Sequence, residues 1–305
     1  MRVSAETWPP VDLRTNELRG QCRRPSHTLP PLTSMTPSRA RVFLNAVPWW
    51  LLAIVGLVAW LVVEALSSEL YRQILSVVSD GIGVTVFVAL VSFTAATLVG
   101  LLAAMGLQST HLVVRQFARF YCEVIRGIPV LVLLFYVAFV GAPLLLQLVD
   151  LATSFARPKG SPPPFEARDF SLMWRAILAL TISYSAFIAE VFRAGFQAVG
   201  RGQTDAARSL GMTPRQVFRH VTFPLAFRTI LPPLGNDFVS MIKDSALVSV
   251  LGVGDITQMA KVFASGSFLF FETYNVVALV YLVMTLALSL ALRALERRLR
   301  AHERR

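Results

Sequence analysis

The sequence is poor in charge and in cysteine for a chain of its length. Only 15% of its 305 residues are Asp, Glu, Lys or Arg and 55% are hydrophobic, whereas soluble domains carry about 25% charged residues. Its two cysteines, Cys22 and Cys122, lack metal-ligand or redox spacing, and its four histidines are scattered. We therefore expect no metal site, and the absence of a flanked nucleophile such as Gly-x-Ser-x-Gly gives no catalytic residue to propose.

The sequence contains several long runs of apolar residues. A run of about 20 apolar residues is long enough to span a bilayer as a helix. Six such runs are present, at residues 43–63, 82–107, 128–149, 172–191, 230–252 and 274–295. The sequence therefore predicts an all-α, polytopic membrane protein with about six transmembrane helices.

The placement of Lys and Arg predicts how these helices are oriented. Of the 29 basic residues, 22 lie in the segments 1–42, 108–127, 192–229 and 293–305, and only 5 lie in the connections predicted to be external, at 64–81, 150–171 and 253–273. Short segments rich in Lys and Arg remain on the cytoplasmic side, so we expect both termini in the cytoplasm. We assign the net charge of +11 to topology and to contact with anionic membrane lipid, not to nucleic acid.

The two ends of the chain differ from its apolar middle. Residues 1–42 are rich in Pro, Arg, Ser and Thr, which predicts a disordered cytoplasmic segment. Met35 opens a sequence typical of a membrane-protein start, so we expect translation to begin at Met1 or Met35, which N-terminal sequencing would decide. Residues 43–63 are predicted to form an N-terminal transmembrane helix, and residues 298–305 a basic cytoplasmic tail.

The segment 200–232 is polar and bears arginines between two apolar runs. Its arginines cannot lie in hydrocarbon, yet its apolar side chains, among them Leu210 and Met212, need a surface to cover. Gly211 and Pro214 interrupt the helical pattern, which predicts two short helices with a bend. A water-facing helix with uncovered apolar residues is typical of a docking element for another protein.

Polar residues within the predicted spans are the other candidates for function, because charges inside a membrane are expensive and usually functional. The candidates for a transport pathway or gate are Glu190, Asn236, Ser240, Lys243 and Asp244. Glu190 and Arg193 are spaced to pair at i,i+3, and a helix-end ion pair is the alternative interpretation. For Lys243 the alternative is an inter-helix pair that locks a dimer.

Several motifs resemble those of a known family. The block GQTDAARSLGMTPRQVFRHVTFPLAFRTILPP, at 202–233, resembles the cytoplasmic loop of the permease subunits of bacterial ABC importers. That loop has a Glu-Ala-Ala triplet, and Asp205 stands here in place of the Glu. The stretches 122–136, 182–203 and 236–257 are similar to the polar-amino-acid branch, the histidine, glutamine and glutamate type. The resemblance covers about residues 80–297.

The resemblance implies a type I importer half with a five-helix permease core at 80–297, preceded by the additional helix at 43–63. It implies a bacterial inner-membrane location, a second permease subunit that is identical or related, a cytoplasmic ABC ATPase dimer and an extracytoplasmic amino-acid-binding protein. The residues that would couple this chain to the ATPase are Asp205, Ala206, Ala207, Leu210, Gly211 and Met212. Because the sequence has no Gly-x-x-x-x-Gly-Lys-Ser/Thr loop, we expect no cofactor in this chain, and ATP and Mg²⁺ would be bound by the partner.

Three functions remain compatible with these observations. The first is the permease subunit of an ATP-driven importer of a polar amino acid, for whose zwitterion Glu190 and Lys243 are candidate contacts. The second is a permease for another small solute, such as an opine or a compatible solute. The third is a membrane scaffold or sensor that recruits a soluble partner without transport.

Overall fold

Regular structure in this protein is entirely helical over the residues that the computed structural model describes, which are 56, 58–60, 62–64, 67–154 and 170–301. All of them belong to the unit Ala53–Arg305. The predicted disordered segment 1–42 lies outside the described residues, as do most of the predicted helix 43–63 and half of the tail 298–305. The all-α fold is confirmed for the described part of the chain.

Eleven α-helices follow one another from residue 69 to residue 301 of the described part of the chain. They are α1 (Glu69–Asp80), α2 (Ile82–Leu107), α3 (Leu112–Gly127), α4 (Val130–Tyr136), α5 (Ala142–Ser154), α6 (Leu172–Gln197), α7 (Arg201–Ser209), α8 (Pro214–Val217), α9 (Phe223–Asp244), α10 (Ile256–Ser267) and α11 (Phe270–Ala301). Short π-helical segments join α4 to α5 (Val137–Gly141) and α8 to α9 (Phe218–Thr222), and a 3₁₀ stretch (Ser245–Leu251) follows α9.

Four stretches of the described chain are long and apolar enough to cross a membrane. They are Glu69–Leu107, Val130–Thr153, Leu172–Gln197 and Phe270–Arg298. A fifth is present if the pair Pro214–Leu251 and Ile256–Ser267, bent by 48°, forms one span. These five contain or overlap the second to sixth predicted spans, so the predicted order of membrane helices holds over the described residues.

The predicted external connection 64–81 is instead largely helical, which corrects the sequence-based expectation. Within α1, Ile74 and Val78 are fully buried and pack in one cluster with Ile256 and Val276. Residues four apart lie on one helix face, so this pair gives α1 an apolar side that covers α10 and α11. The polar residues of α1 occupy its other side, which made the segment resemble a loop.

The segment 108–127 contains a second amphipathic helix, α3. Ala118 and Cys122 are buried, and α2 approaches α3 so closely that a Cβ added at Gly106 would lie 2.9 Å from the Cβ of Ala118. Phe117 and Phe120, in contrast, are exposed on the surface of the chain. The arginines of this segment are therefore carried by a packed helix with an apolar outer stripe.

The core is built along the contact between α2 and α6. Small residues line it, and a Cβ added at Gly100 would lie 2.9 Å from the backbone oxygen of Ser185. Ala96 and Ala189 are fully buried on the same two helices. Small side chains allow membrane helices to approach closely, because packing rather than hydrophobic transfer stabilises helix contacts in lipid. The α2–α6 pair is thus the closely packed centre of the described fold.

The bend between α9 and α10 is fixed by a capping carboxylate. Gly252 has a φ of +80°, and buried Asp255 accepts hydrogen bonds from the backbone N–H groups of Thr257 (3.2 Å) and Gln258 (2.9 Å) at the start of α10. The N–H of Ile256 donates to Oγ1 of Thr85 on α2 at 3.2 Å. The corner of the bent pair is therefore attached to the beginning of α2.

Candidate functional site

The segment from α7 to α8, hereafter the α7–α8 segment, has the two-helix form that Gly211 and Pro214 predict. Gly211 has a φ of +81°, a left-handed conformation that favours glycine. Its N–H donates to the carbonyl of Arg208 at 2.9 Å, and the N–H of Met212 donates to the carbonyl of Ala207 at 3.3 Å. These bonds satisfy carbonyls at the end of α7 and turn the chain sharply toward α8.

The start of α8 is stabilised by a capping box that our sequence analysis missed. Oγ1 of Thr213 accepts a hydrogen bond from the N–H of Gln216, and Oε1 of Gln216 accepts one from the N–H of Thr213 at 2.9 Å. Pro214 occupies the first helical position, where its missing N–H is of little consequence. The Thr-Pro-x-Gln pattern was the available signal, since a Ser or Thr three residues before Glu or Gln is typical of a helix start.

The six predicted coupling residues do not share one surface. Leu210 is 84% exposed, and Asp205, Ala206 and Gly211 are exposed as well. Ala207, in contrast, is 5% exposed, and Met212 is half-buried. The four exposed residues therefore form the outward face of the segment. Ala207 lies on its inner face, where it is packed against the rest of the chain.

Asp205 lies within α7 rather than at the start of that helix. It is the fifth residue of α7, which begins at Arg201, and its carboxylate lies 3.8 Å from the guanidinium of Arg208. Both side chains are about two-thirds exposed, so this pair contributes little to stability in water. The carboxylate remains accessible to a partner.

Glu190 and Arg193 form the i,i+3 pair that their spacing predicts. Both oxygens of the Glu190 carboxylate accept hydrogen bonds from the Arg193 guanidinium, one of them from Nε at 2.9 Å. Arg193 also donates to Oε1 of Gln197 at 2.7 Å. Glu190 is thus neutralised near the end of α6, in agreement with the helix-end ion pair considered as the alternative.

The polar residues of α9 point in different directions. Asn236 and Lys243 are exposed on the surface of the single chain, and Ser240 is half-buried. Asp244 instead turns toward α6, where it accepts a hydrogen bond from the Tyr184 hydroxyl at 2.8 Å. Adjacent residues of a helix lie about 100° apart, which explains why Lys243 and Asp244 do not act as one unit.

A cavity of about 540 Å³ brings together residues from α3, α6 and α9. Arg126, Phe187, Glu190 and Asp237 are among its lining residues, whereas Lys243 is not. The Arg126 guanidinium lies 5.9 Å from the centre of the Phe187 ring. Oδ2 of Asp237 is buried and has no hydrogen-bond partner among the described residues. Glu190 and Lys243, the two candidate contacts for a zwitterion, therefore do not line the same cavity, and Asp237, with its unpartnered Oδ2, lines this one.

Sequence analysis missed Arg126 and Asp237 for identifiable reasons. Arg126 was assigned to topology together with the other basic residues of its segment. Asp237 was passed over because the series Asn236, Ser240 and Lys243 has the spacing of a helix face. A signal for Asp237 was available in the sequence. Asp237 directly follows Asn236 and so lies on a neighbouring face of the same membrane helix, and a charged residue on that face must be covered by another helix.

A second cavity, of about 330 Å³, adjoins the first at the end of α6. It is lined mainly by charged and polar groups, including Arg119, Glu123, Arg193 and Gln197. Cys122 also lines it, and burial, followed by the nearby Glu190 carboxylate, raises the pKa of the Cys122 thiol. The thiol is therefore protonated at neutral pH and behaves as a small packing group rather than a nucleophile.

These features define a class of protein: a polytopic helical membrane subunit with charged groups between its helices and an exposed segment suited to docking. Residues 96–301 match the family of binding-protein-dependent transport system inner membrane components. The chain belongs to this family and is an ABC transporter permease, a membrane subunit rather than a catalytic one.

Relatives and a solved structure agree with this assignment. The chain is 34% identical over 224 residues to the probable glutamine ABC transporter permease protein GlnM of Bacillus subtilis (strain 168), covering 73% of this chain and 94% of GlnM. It is 31% identical over 221 residues to the glutamine transport system permease protein GlnP of Escherichia coli (strain K12), covering 72% and 92%. A crystal structure of an amino acid ABC transporter with histidines matches with 36% identity and a TM-score of 0.62, covering 76% of this chain and 97% of that chain.

Proposed function

We propose that this chain is the permease subunit of an ATP-driven importer that moves a polar amino acid across the bacterial inner membrane. The relatives named above are amino-acid permeases, which supports the substrate class. The observation that carries the proposal is the exposed α7–α8 segment, whose Leu210 is 84% exposed on a helix too polar for lipid. An apolar side chain exposed at the end of a water-facing helix is available as an anchor for a protein partner.

The partner at this segment is an ABC ATPase dimer, which binds ATP and Mg²⁺. Leu210 supplies an apolar anchor and Ala206 allows the two backbones to approach closely, while the exposed Asp205 carboxylate offers an acceptor for donors of the ATPase. The bias of 22 basic residues to 5 supports a cytoplasmic position for the segment and for both termini. A second permease subunit and an extracytoplasmic binding protein complete the importer.

The cavity between α3, α6 and α9 is the part of the pathway that this chain contributes. Arg126 carries the positive charge that an amino acid's carboxylate requires, and the unpartnered Asp237 carboxylate suits its ammonium group. Lys243 and Asn236 are exposed on a membrane helix, where charge is unfavourable in lipid. They therefore face the second permease subunit or the water-filled pathway between the subunits.

ATP-dependent uptake tests the proposal directly. The chain is reconstituted in liposomes with its ATPase and binding protein, and a mixture of labelled amino acids is offered. We expect accumulation of one or a few amino acids that requires both ATP and the binding protein. Binding of the ATPase without accumulation of any amino acid would indicate another solute, and failure to bind any ATPase would favour a scaffold.

A further inference from the structure

A row of aromatic rings runs along the joint between the α7–α8 segment and α9. The ring centres of Phe196 and Phe218 are 6.3 Å apart, those of Phe218 and Phe223 are 6.1 Å apart, and those of Phe223 and Phe227 are 5.9 Å apart. Phe218, Phe223 and Phe227 are each close to half exposed. The row crosses the π-helical segment Phe218–Thr222, an irregularity of a kind that is frequent at functional sites.

Three rings of this row, those of Phe196, Phe218 and Phe223, form one wall of a groove of about 560 Å³. The lining residues are Leu101, Met105, Gln108, Phe196, Phe218, Thr222 and Phe223. Five of the seven are apolar, and the polar members, Gln108 and Thr222, directly follow α2 and precede α9. The groove thus has an apolar interior and two polar groups near the helix ends.

The position of the groove along the chain fixes its depth in a membrane. Three of the membrane helices terminate around it, because α2 ends at Leu107, α6 ends at Gln197 and α9 begins at Phe223. The groove therefore lies where the apolar spans give way to polar chain. At this level the surroundings of the protein change from acyl chains to headgroups.

Charge next to the groove indicates which lipid suits it. Arg215 precedes Phe218 by three positions, a spacing that places both on one side of a helix, and it lies in α8, where its side chain is exposed. An arginine beside an apolar groove at a membrane boundary complements a phosphate headgroup attached to an acyl chain. Among the residues that the structure describes, none of those lining the groove is acidic.

We propose that this groove binds one acyl chain of an anionic phospholipid, with the headgroup phosphate at Arg215. The inference requires a membrane protein but not amino-acid import. Because the groove wall includes the segment that links α8 to α9, the bound chain fills the space beside the joint through which the α7–α8 segment is connected to the membrane core.

Brominated lipids, which quench tryptophan fluorescence on contact, provide the test. The reporter is Met105→Trp, a groove residue that is 62% exposed. The matched control is Leu102→Trp, which is 67% exposed on the same helix but does not line the groove. Each variant is reconstituted at a series of mole fractions of brominated phosphatidylglycerol or brominated phosphatidylcholine, and the signal of the parent protein is subtracted.

For Met105→Trp we expect quenching by the anionic lipid at about a fifth of the mole fraction that the zwitterionic lipid requires, the effect of one arginine near a membrane surface. Leu102→Trp should respond equally to both lipids, and Arg215→Gln should abolish the preference at Met105→Trp. Free phosphate carries no bromine and would leave the fluorescence unchanged.

Two results would overturn the proposal. Absence of quenching at Met105→Trp by either lipid, while Leu102→Trp is quenched, would mean that protein covers the groove. Equal quenching of Met105→Trp by both lipids, unaffected by Arg215→Gln, would show that the groove contacts the surrounding bilayer without selecting an anionic lipid. Neither result depends on whether the chain transports an amino acid.

Discussion

The turn at Gly211 allows the shape of the α7–α8 segment to be tested by a single methyl group. Gly211 has a φ of +81°, and a Cβ added there meets no heavy atom within 4 Å. Gly211→Ala therefore introduces backbone strain without a steric clash. A left-handed conformation costs a non-glycine residue about 1–2 kcal/mol. If the ATPase binds only the turned form, its affinity should fall about 5- to 30-fold.

Two further variants separate strain from other effects. Asn adopts the left-handed conformation more readily than Ala, so Gly211→Asn should lose less affinity than Gly211→Ala. Gly202 lies within α7, has an ordinary φ and also has open space around it, so Gly202→Ala should leave binding unchanged or slightly improved. The assay is the dissociation constant of the ATPase for the permease held in nanodiscs. Wild-type affinity in Gly211→Ala would refute the role of the turn.

Further predictions concern stability, transport and reactivity. Gly81→Ala should destabilise the protein by about 1–3 kcal/mol, the range for overpacking, because the new Cβ would lie 2.4 Å from the backbone nitrogen of Ile256; thermal unfolding in detergent measures this. Asp255→Ala should lower stability by about 0.5–2 kcal/mol through loss of the cap, whereas Asp255→Asn retains most of it. Lys243→Ala should impair uptake while membrane assembly persists. Alkylation of Cys122 should be slower in the folded protein than in denaturant at pH 8, because its pKa is raised.

Each of these predictions has an outcome that would contradict it, and the Gly81 variant also has a matched control. Gly83→Ala, where a Cβ meets nothing within 4 Å, should unfold at the wild-type temperature, and an equal loss in both glycine variants would contradict the packing argument. A stable Asp255→Ala protein would mean that the cap is dispensable. Unchanged uptake in Lys243→Ala would mean that Lys243 has only a structural role. If Cys122 in the folded protein were alkylated as fast as in the denatured chain, its thiol would be accessible and reactive.

Hydropathy and helix-breaking residues predicted much of this fold. The predicted span 82–107 has the bounds of α2, because its apolar run ends in polar residues on both sides. The bend of the α7–α8 segment followed from Gly211 and Pro214, whose conformational restrictions are local and therefore visible in the sequence.

Features that depend on distant partners could not be predicted in the same way. The helix α1 has the mixed composition of a connection, and only Ile256 and Val276, more than 170 residues later, give its apolar side a surface. For the same reason, the sequence did not show that Leu210 is exposed whereas Ala207, three residues earlier, is buried. In the cavity, the importance of Asp237 depends on which face of α9 meets α6, and the sequence does not encode that rotation in any short pattern.

The contact between the start of α2 and the corner of the bent pair bears on how the protein is made. The hydrogen bond from Ile256 to Thr85 joins residues 171 positions apart, and the backbone around Ile256 occupies the space beside Gly81. During synthesis this junction therefore stays incomplete after α1 and α2 have been made. It can form only when α10 has emerged from the ribosome and entered the membrane. Residues from the last third of the chain thus complete a contact whose other side lies in the first third. In a protein truncated before α10 this junction would stay unformed, and the exposed chain would be accessible to quality-control proteases.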